Sequence, residues 1–137
     1  MRVVLDTNIL ISAVWKPGGN EDRVVGLVLA GELEAMATAE LRAEYEEVLG
    51  RAKFQKLTGR IAPLLEELGK ALRMVEGGER MALASDPDDN RVLEAAVAGG
   101  AEYLITGNLK DYPAEWKVAR IVNARRFLQE TGRYSKV

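Results

Sequence analysis

Short apolar runs alternate along the chain with longer stretches of helical spacing. Arg2-Val3-Val4-Leu5 is apolar and β-branched without alternation, the pattern of a strand buried on both faces. Asp6-Thr7-Asn8 breaks it before a second apolar segment, Ile9 to Val14, and Lys16-Pro17-Gly18-Gly19-Asn20 reads as a loop. Residues 21–30 fit a helix with Val24, Val25, Val28 and Leu29 inward and Gly31 as its stop. Leu33 to Ala37 predicts a second strand. Thr38 is placed to cap a helix over 39–50 that closes at Gly50. After a loop at Gly59, Ile61 to Leu72 reads as a helix with Pro63 in its first turn. Met74-Val75 reads either as a strand or as the exit from that helix. Pro87 to Ala98 has the strongest helical pattern, with Val92, Leu93, Ala96 and Val97 on one side and Gly99-Gly100 after it. Tyr103 to Thr106 and Ile121-Val122 predict two further strands, and Asn123 a cap for a last helix ending near Gly132.

Helices alternating with short apolar strands, with no hairpin turn signal, predict an α/β fold with a mostly parallel sheet. Ligands in such folds sit beyond the carboxyl ends of the strands, so the residues at strand exits come first as functional candidates. The length of 137 residues fits one domain spanning 1–137.

Composition narrows the chemistry. There is no cysteine and no histidine, which excludes disulfides, thiolate nucleophiles, His-based zinc sites and the Ser-His-Asp triad. Nineteen basic against twenty-one acidic residues give a net charge of −2, so no general basic coat for a nucleic acid exists. The charge is nonetheless uneven. Arg51, Lys53, Lys56 and Arg60 stand together without an acid, and Lys117, Arg120, Arg125, Arg126, Arg133 and Lys136 surround only Glu130. These runs read either as solvated surface or as a polyanion surface beside an acidic site. Asp6 interrupts the opening apolar run and no stretch reaches the ~20 apolar residues of a spanning helix, so no membrane association and a cytoplasmic location are expected.

The acids at strand exits and helix edges carry the candidate chemistry. Asp6 directly follows the first strand, either as a cap for the segment that follows or as a ligand, with Asn8 beside it. In Ser85-Asp86-Pro87-Asp88-Asp89-Asn90, Asp86 suits the N-cap, Pro87 the first helical position and Asp89 the third, a capping-box arrangement that also gathers carboxylates. Thr106-Gly107-Asn108-Leu109-Lys110-Asp111 follows a buried strand and faces the same crevice as Asp6, unless it is an ordinary Asx turn. At about 100° per residue, Glu44 falls about 60° from Leu41, at the edge of the apolar arc of Leu41, Tyr45, Val48 and Leu49. It is either a flank residue or an acid aimed by packing. Carboxylates gathered in one crevice repel unless a cation neutralises them, and an all-oxygen set selects Mg²⁺ or Mn²⁺, suited to phosphoryl transfer.

Asp6-Thr7-Asn8, Glu44-Tyr45, Asp86-Pro87-Asp88-Asp89-Asn90 and the Thr106 to Asp111 turn together resemble a PIN domain, most closely the VapC-like toxins of toxin–antitoxin pairs. The resemblance covers nearly the whole chain and implies a three-layer α/β/α sandwich with Mg²⁺- or Mn²⁺-dependent endoribonuclease activity. It implies that Asp6, Glu44, Asp89 and Asp111 are the catalytic and metal-binding acids. Asn8, Asp86, Thr106 and Asn108 would orient them or hold the scissile phosphate. Arg51, Lys53, Lys56, Arg125 and Arg126 would guide the RNA backbone, and cleavage would leave a 3′-hydroxyl and a 5′-phosphate. Position 108 departs from the fullest form of the pattern by being Asn rather than Asp, so the fourth charge falls to Asp111. An antitoxin and a second copy of the chain are the implied protein partners.

Other readings fit less well. A haloacid-dehalogenase-like phosphatase needs a second Asp two residues after the first, where Asn8 stands. A receiver domain needs an acceptor Asp midway, yet none lies between Asp22 and Asp86. A catalytically impaired PIN-fold module that binds RNA or protein is the remaining alternative, favoured by Asn108.

Overall fold

The computed structural model describes residues 1–135; Lys136, counted in the C-terminal basic run, lies outside them. Each strand read from the sequence forms: β1 (Arg2–Leu5), β2 (Glu34–Ala37), β3 (Arg73–Met74), β4 (Tyr103–Ile105) and β5 (Arg120–Val122). Among the described residues they make one sheet in the order β3-β2-β1-β4-β5, and every pairing is parallel. Val3, Val4 and Leu5 are buried on both sides of the sheet, which is why β1 reads as an unbroken apolar run.

The chain steps outward from β1 through β2 to β3, then returns past β1 to β4 and β5. Parallel crossovers are right-handed as a rule, so reversing their direction at β1 carries the helices to both faces of the sheet. Helix α5 (Pro87–Gly99) packs on β1 and β2. Helix α2 (Asn20–Leu29) packs with α1 (Thr7–Trp15), α4 (Thr58–Ala71) and α6 (Ala124–Glu130). Helix α3 (Ala39–Leu49) contacts both α1 and α5. The reversal between β1 and β4 is the switch point of the sheet, where their carboxyl ends open a crevice.

The caps follow the sequence. Thr38 accepts from the Leu41 N–H at 3.2 Å, Asn123 from Arg126 at 2.8 Å, and Asp86 from Asp88 at 2.9 Å. Three details differ from expectation. Helix α4 starts at Thr58, so Gly59, expected in a loop, lies in its first turn, and a 3₁₀ turn, Ala52–Leu57, precedes it. Pro63 therefore lies inside α4 rather than in its first turn, on an exposed side where one missing backbone donor is tolerated. Leu29 and Val97, expected inward, are each 39% exposed, because their helices present a narrower apolar stripe than the periodicity allows.

The segment between β3 and α5 is strapped to α5 by two buried polar side chains. Asn90 Oδ1 accepts from the Ala84 N–H at 2.9 Å, and Glu94 Oε2 from the Met81 N–H at 2.8 Å. Arg91 and Arg80 pair with the Glu94 carboxylate at 2.8 and 3.3 Å, so its buried charge is compensated.

Glycine sets how closely α5 approaches the sheet. A Cβ at Gly99 would stand 2.6 Å from the Cβ of Met36 in β2, a clash that a side-chain rotation cannot relieve. Replacing Gly99 by Ala is therefore expected to destabilise the fold by about 1–3 kcal/mol, read as a lower urea midpoint with an unchanged slope.

Candidate active site

Asp6 occupies the N-cap position of α1, yet its side chain makes no capping hydrogen bond. It is 4% exposed and turns across the switch point. The sheet ladder puts it there: the Asp6 N–H bonds the Ile105 carbonyl at 2.9 Å, and the Thr106 N–H bonds that of Val122 at 2.9 Å. Asp6 and Thr106 thus leave neighbouring strands side by side. Asp6 Oδ2 accepts from Thr106 Oγ1 at 2.8 Å, Tyr112 Oη at 2.8 Å and Asn8 Nδ2 at 3.2 Å. Asn8 is itself fixed, because its Oδ1 accepts from the Gly107 N–H at 2.9 Å. Burial pushes the Asp6 carboxyl above its ordinary range, and the Thr106 and Tyr112 hydroxyls offset part of that rise.

Glu44 reaches the same crevice from α3. Tyr45 Oη donates to the Leu5 carbonyl at 2.5 Å, locking α3 against the end of β1, and Thr7 Oγ1 donates to Glu44 Oε2 at 2.5 Å. Burial raises the Glu44 carboxyl above its ordinary range, and the charges of Asp88, Asp6 and Asp86 raise it further. Asp89 stands in the first turn of α5. Its carboxyl is pushed from 3.8 up to about 7, first by burial and then by Asp6, Asp86 and Asp111, with the Tyr112 hydroxyl in hydrogen-bonding reach as a partial offset. Asp86 caps α5 through Asp88, not through Asp89, so the Asp89 carboxylate is free of the reciprocal capping role. Asp111 lies at the outer rim, where its carboxylate accepts from the Asn108 amide and its carbonyl from the Ser85 N–H at 3.1 Å. The Asn108 N–H bonds Thr106 Oγ1 at 3.0 Å, which closes the turn onto the Asp6 network.

The acids predicted from the sequence therefore share one crevice, linked by mutual repulsion. They do not form a tight cage: among the described residues no group of three or more such side chains stands close enough together to hold an ion. Their hydrogen bonds explain the spacing, since Asp6, Glu44 and Asp111 are each held by a different hydroxyl or amide. In donor type and charge the residues fit a hard divalent cation, because every side chain that faces the crevice offers oxygen and the carboxylates raise one another's proton affinity.

The basic candidates divide. Arg51 pairs with Glu47 at 2.8 Å and also lies in the field of Asp88 and Glu44, which places it beside the acids. Lys53 Nζ sits 5.2 Å from the Phe54 ring centre, and Lys56 is exposed on the same 3₁₀ turn. Arg125 stacks on Tyr134 at 5.4 Å, and Arg126 is paired with Glu130 at 2.7 Å. Sequence reasoning missed the roles of Thr7 and Tyr112. A tyrosine directly after an acid in a polar turn is the signal for the second, since its ring buries while its hydroxyl needs a partner.

The model of the PIN domain family matches residues 2–110 of the chain. The chain belongs to the PIN domain family. No curated protein matches it. Among solved structures, the fold resembles the crystal structure of VapBC2 from Rickettsia felis bound to a DNA fragment from their promoter, with 17% identity and a TM-score of 0.59 over 90% of this chain and 98% of that one. Among the described residues no helix is long and apolar enough to cross a membrane.

The raised acids predict a pH dependence. Folding raises the Asp89 carboxyl from 3.8 to about 7, so the folded chain disfavours its charged form and loses stability as pH rises between those values. In metal-free buffer, Asp89→Asn is expected to be more stable than wild type at pH 8 by on the order of 1 kcal/mol, after screening of a half-exposed side chain. That difference should close towards pH 4 in thermal unfolding.

Proposed function

We propose that the chain is a divalent-metal-dependent endoribonuclease, with residues 1–137 acting as one nuclease domain and as the toxin of a toxin–antitoxin pair. The observation that carries this reading is a buried Asp6 braced by the Thr106 and Tyr112 hydroxyls at the switch point of a parallel sheet, with Asp89 in the first turn of α5 within reach of its charge. Family membership supports nuclease chemistry, and the likeness to VapBC2 supports an antitoxin partner. A second copy of the chain and a cytoplasmic setting complete the proposal.

A bound Mg²⁺ or Mn²⁺ would supply an activated water and neutralise charge on the phosphate, which compensates for the absent histidine. Asp6 and Asp89 would hold it, with Glu44 completing the set or orienting water. Thr106 and Asn8 fix the Asp6 carboxylate, the role that partners of a ligand play at metal sites. Asp111 would position water or a second ion, while Asp86 holds the start of α5 and Asn108 the turn. Hydrolysis breaks the P–O3′ bond, with the leaving oxygen taking a proton to give a 3′-hydroxyl and a 5′-phosphate. Arg51 is the favoured phosphate contact, because it lies in the field of Asp88 and Glu44, and Lys53 and Lys56 follow it on the next turn. Such contacts position RNA without reading its sequence. Arg125 and Arg126 are weaker candidates, given the pairing of Arg126 with Glu130.

Asn108 favours a second reading, a PIN-fold module that binds RNA or protein without cutting it: its amide occupies an oxygen of Asp111, the acid left to supply the fourth charge. One assay separates the two. Single-stranded RNA incubated with the chain and Mn²⁺ or Mg²⁺ is expected to be cleaved, and chelator should stop the reaction. Asp6→Asn and Asp89→Asn should each lower the rate at least ~100-fold while the circular dichroism spectrum stays folded. Full cleavage by both folded variants would sink the nuclease assignment. Asn108→Asp is expected to change the rate only a few-fold, and a large gain would show that Asp111 does not fill the fourth role.

A further inference from the structure

We propose that Tyr112 is a positioning residue whose hydroxyl holds Asp6 in the arrangement in which Asp6 and Asp89 accept a divalent cation. The inference rests on the nuclease reading and assigns a residue outside the acidic set. Tyr112 is 6% exposed, and its ring belongs to the hydrophobic core. Phenylalanine would fill that space as well. Burying the hydroxyl is unfavourable unless it is bonded, so packing accounts for the ring but not for the oxygen. The oxygen lies 2.8 Å from Asp6 Oδ2, and its proton affinity is raised by burial and by the charges of Asp6 and Asp89, which puts both acids in its surroundings. A hydroxyl has one proton to give and can serve one carboxylate at a time. Asp6 holds it here.

The backbone makes this contact rigid. The Tyr112 N–H bonds the Leu109 carbonyl at 3.2 Å, and the Asp111 N–H bonds that of Asn108 at 3.1 Å, which closes the 3₁₀ turn Leu109–Asp111. The Ser85 N–H bonds the Asp111 carbonyl at 3.1 Å and ties that turn to the approach of α5. Tyr112 therefore stands on a segment anchored to both the β4 exit, which carries the partner of Asp6, and the start of α5, which carries Asp89. Loss of the hydroxyl would leave Asp6 to Thr106 and Asn8.

The test is Mn²⁺ binding by the full chain, followed by titration calorimetry without RNA, for wild type, Tyr112→Phe and Tyr103→Phe. Tyr103 bonds Glu130 at 3.2 Å at the opposite, amino-terminal end of β4 and serves as the control. Tyr112→Phe is expected to bind Mn²⁺ about 10-fold more weakly, with Tyr103→Phe equal to wild type. A merely structural role would lower the unfolding temperature of Tyr112→Phe and leave its Mn²⁺ affinity unchanged, and that result would overturn the inference alone. A wild type that binds no Mn²⁺ would overturn the nuclease reading together with it. Should Tyr112→Phe not fold, wild-type chain with ¹³C-labelled tyrosine rings gives the answer: sub-stoichiometric Mn²⁺ should broaden the Tyr112 signals and spare those of Tyr103. Equal broadening of the two rings, or none at Tyr112, would overturn the assignment.

Discussion

The site depends on one buried carboxylate. Asp6 follows a strand enclosed on both sides, so its charge leaves the sheet in a place with little water to receive it. Such a group persists only where donors converge on it, and here they come from three segments: Asn8 in α1, Thr106 after β4 and Tyr112 after the next turn. Residues about a hundred positions apart are thereby held to one oxygen atom. Parallel pairing of β1 with β4 makes this feasible, because it brings both strand exits to the same end of the sheet. The fold and the site are joined at this contact.

The other acids are held with decreasing firmness as the crevice opens. Glu44 is half-buried and has Thr7 as its hydroxyl partner, with Tyr45 anchoring its helix to Leu5. Asp89 is placed by the start of α5, which the Glu94 and Asn90 straps hold against the preceding loop. The strap at Glu94 carries charge into the interior and needs Arg91 and Arg80 to compensate it. A helix N-terminus favours the carboxylates of Asp86, Asp88 and Asp89, whereas their mutual repulsion opposes them. At Asp89, burial and the charges of Asp6, Asp86 and Asp111 push the carboxyl above its ordinary range.

What was legible in the sequence follows from how local each cause is. β1 was readable because burial on both faces leaves an unbroken apolar run, and Thr38, Asp86 and Asn123 because capping is a matter of a few residues. Asp6 and Thr106 were readable from the strand-exit rule alone. Leu29 and Val97 misled because periodicity gives a direction around a helix but not the width of the stripe that neighbours cover. Pro63 misled because the 3₁₀ turn before α4 shifts the helix start, and no local pattern marks that turn. Tyr112 was legible only as a ring that buries with a hydroxyl in need of a partner, not in what that partner is. Its partners, Asp6 and Asp89, meet only when the sheet is assembled, and a hydroxyl's target is a tertiary fact.

This gradient from braced to adjustable bears on position 108, where the chain carries asparagine. If every acid were held as Asp6 is, replacing one by asparagine would leave a fixed gap. Position 108 lies instead on an exposed turn, with its amide donating to Asp111 and its N–H donating to Thr106. Asn108 thus keeps a structural duty that aspartate could share only in part, because a carboxylate at 108 would repel Asp111 instead of bonding it. The asparagine removes one charge from a crevice where the acids already raise one another's proton affinity, and it steadies the charge that remains. A smaller total charge is a smaller repulsion for the fold to carry, so the loss at 108 and the neutral hydroxyl of Tyr112 act in the same direction. Both let a set of mutually repelling acids persist at the mouth of a small sheet.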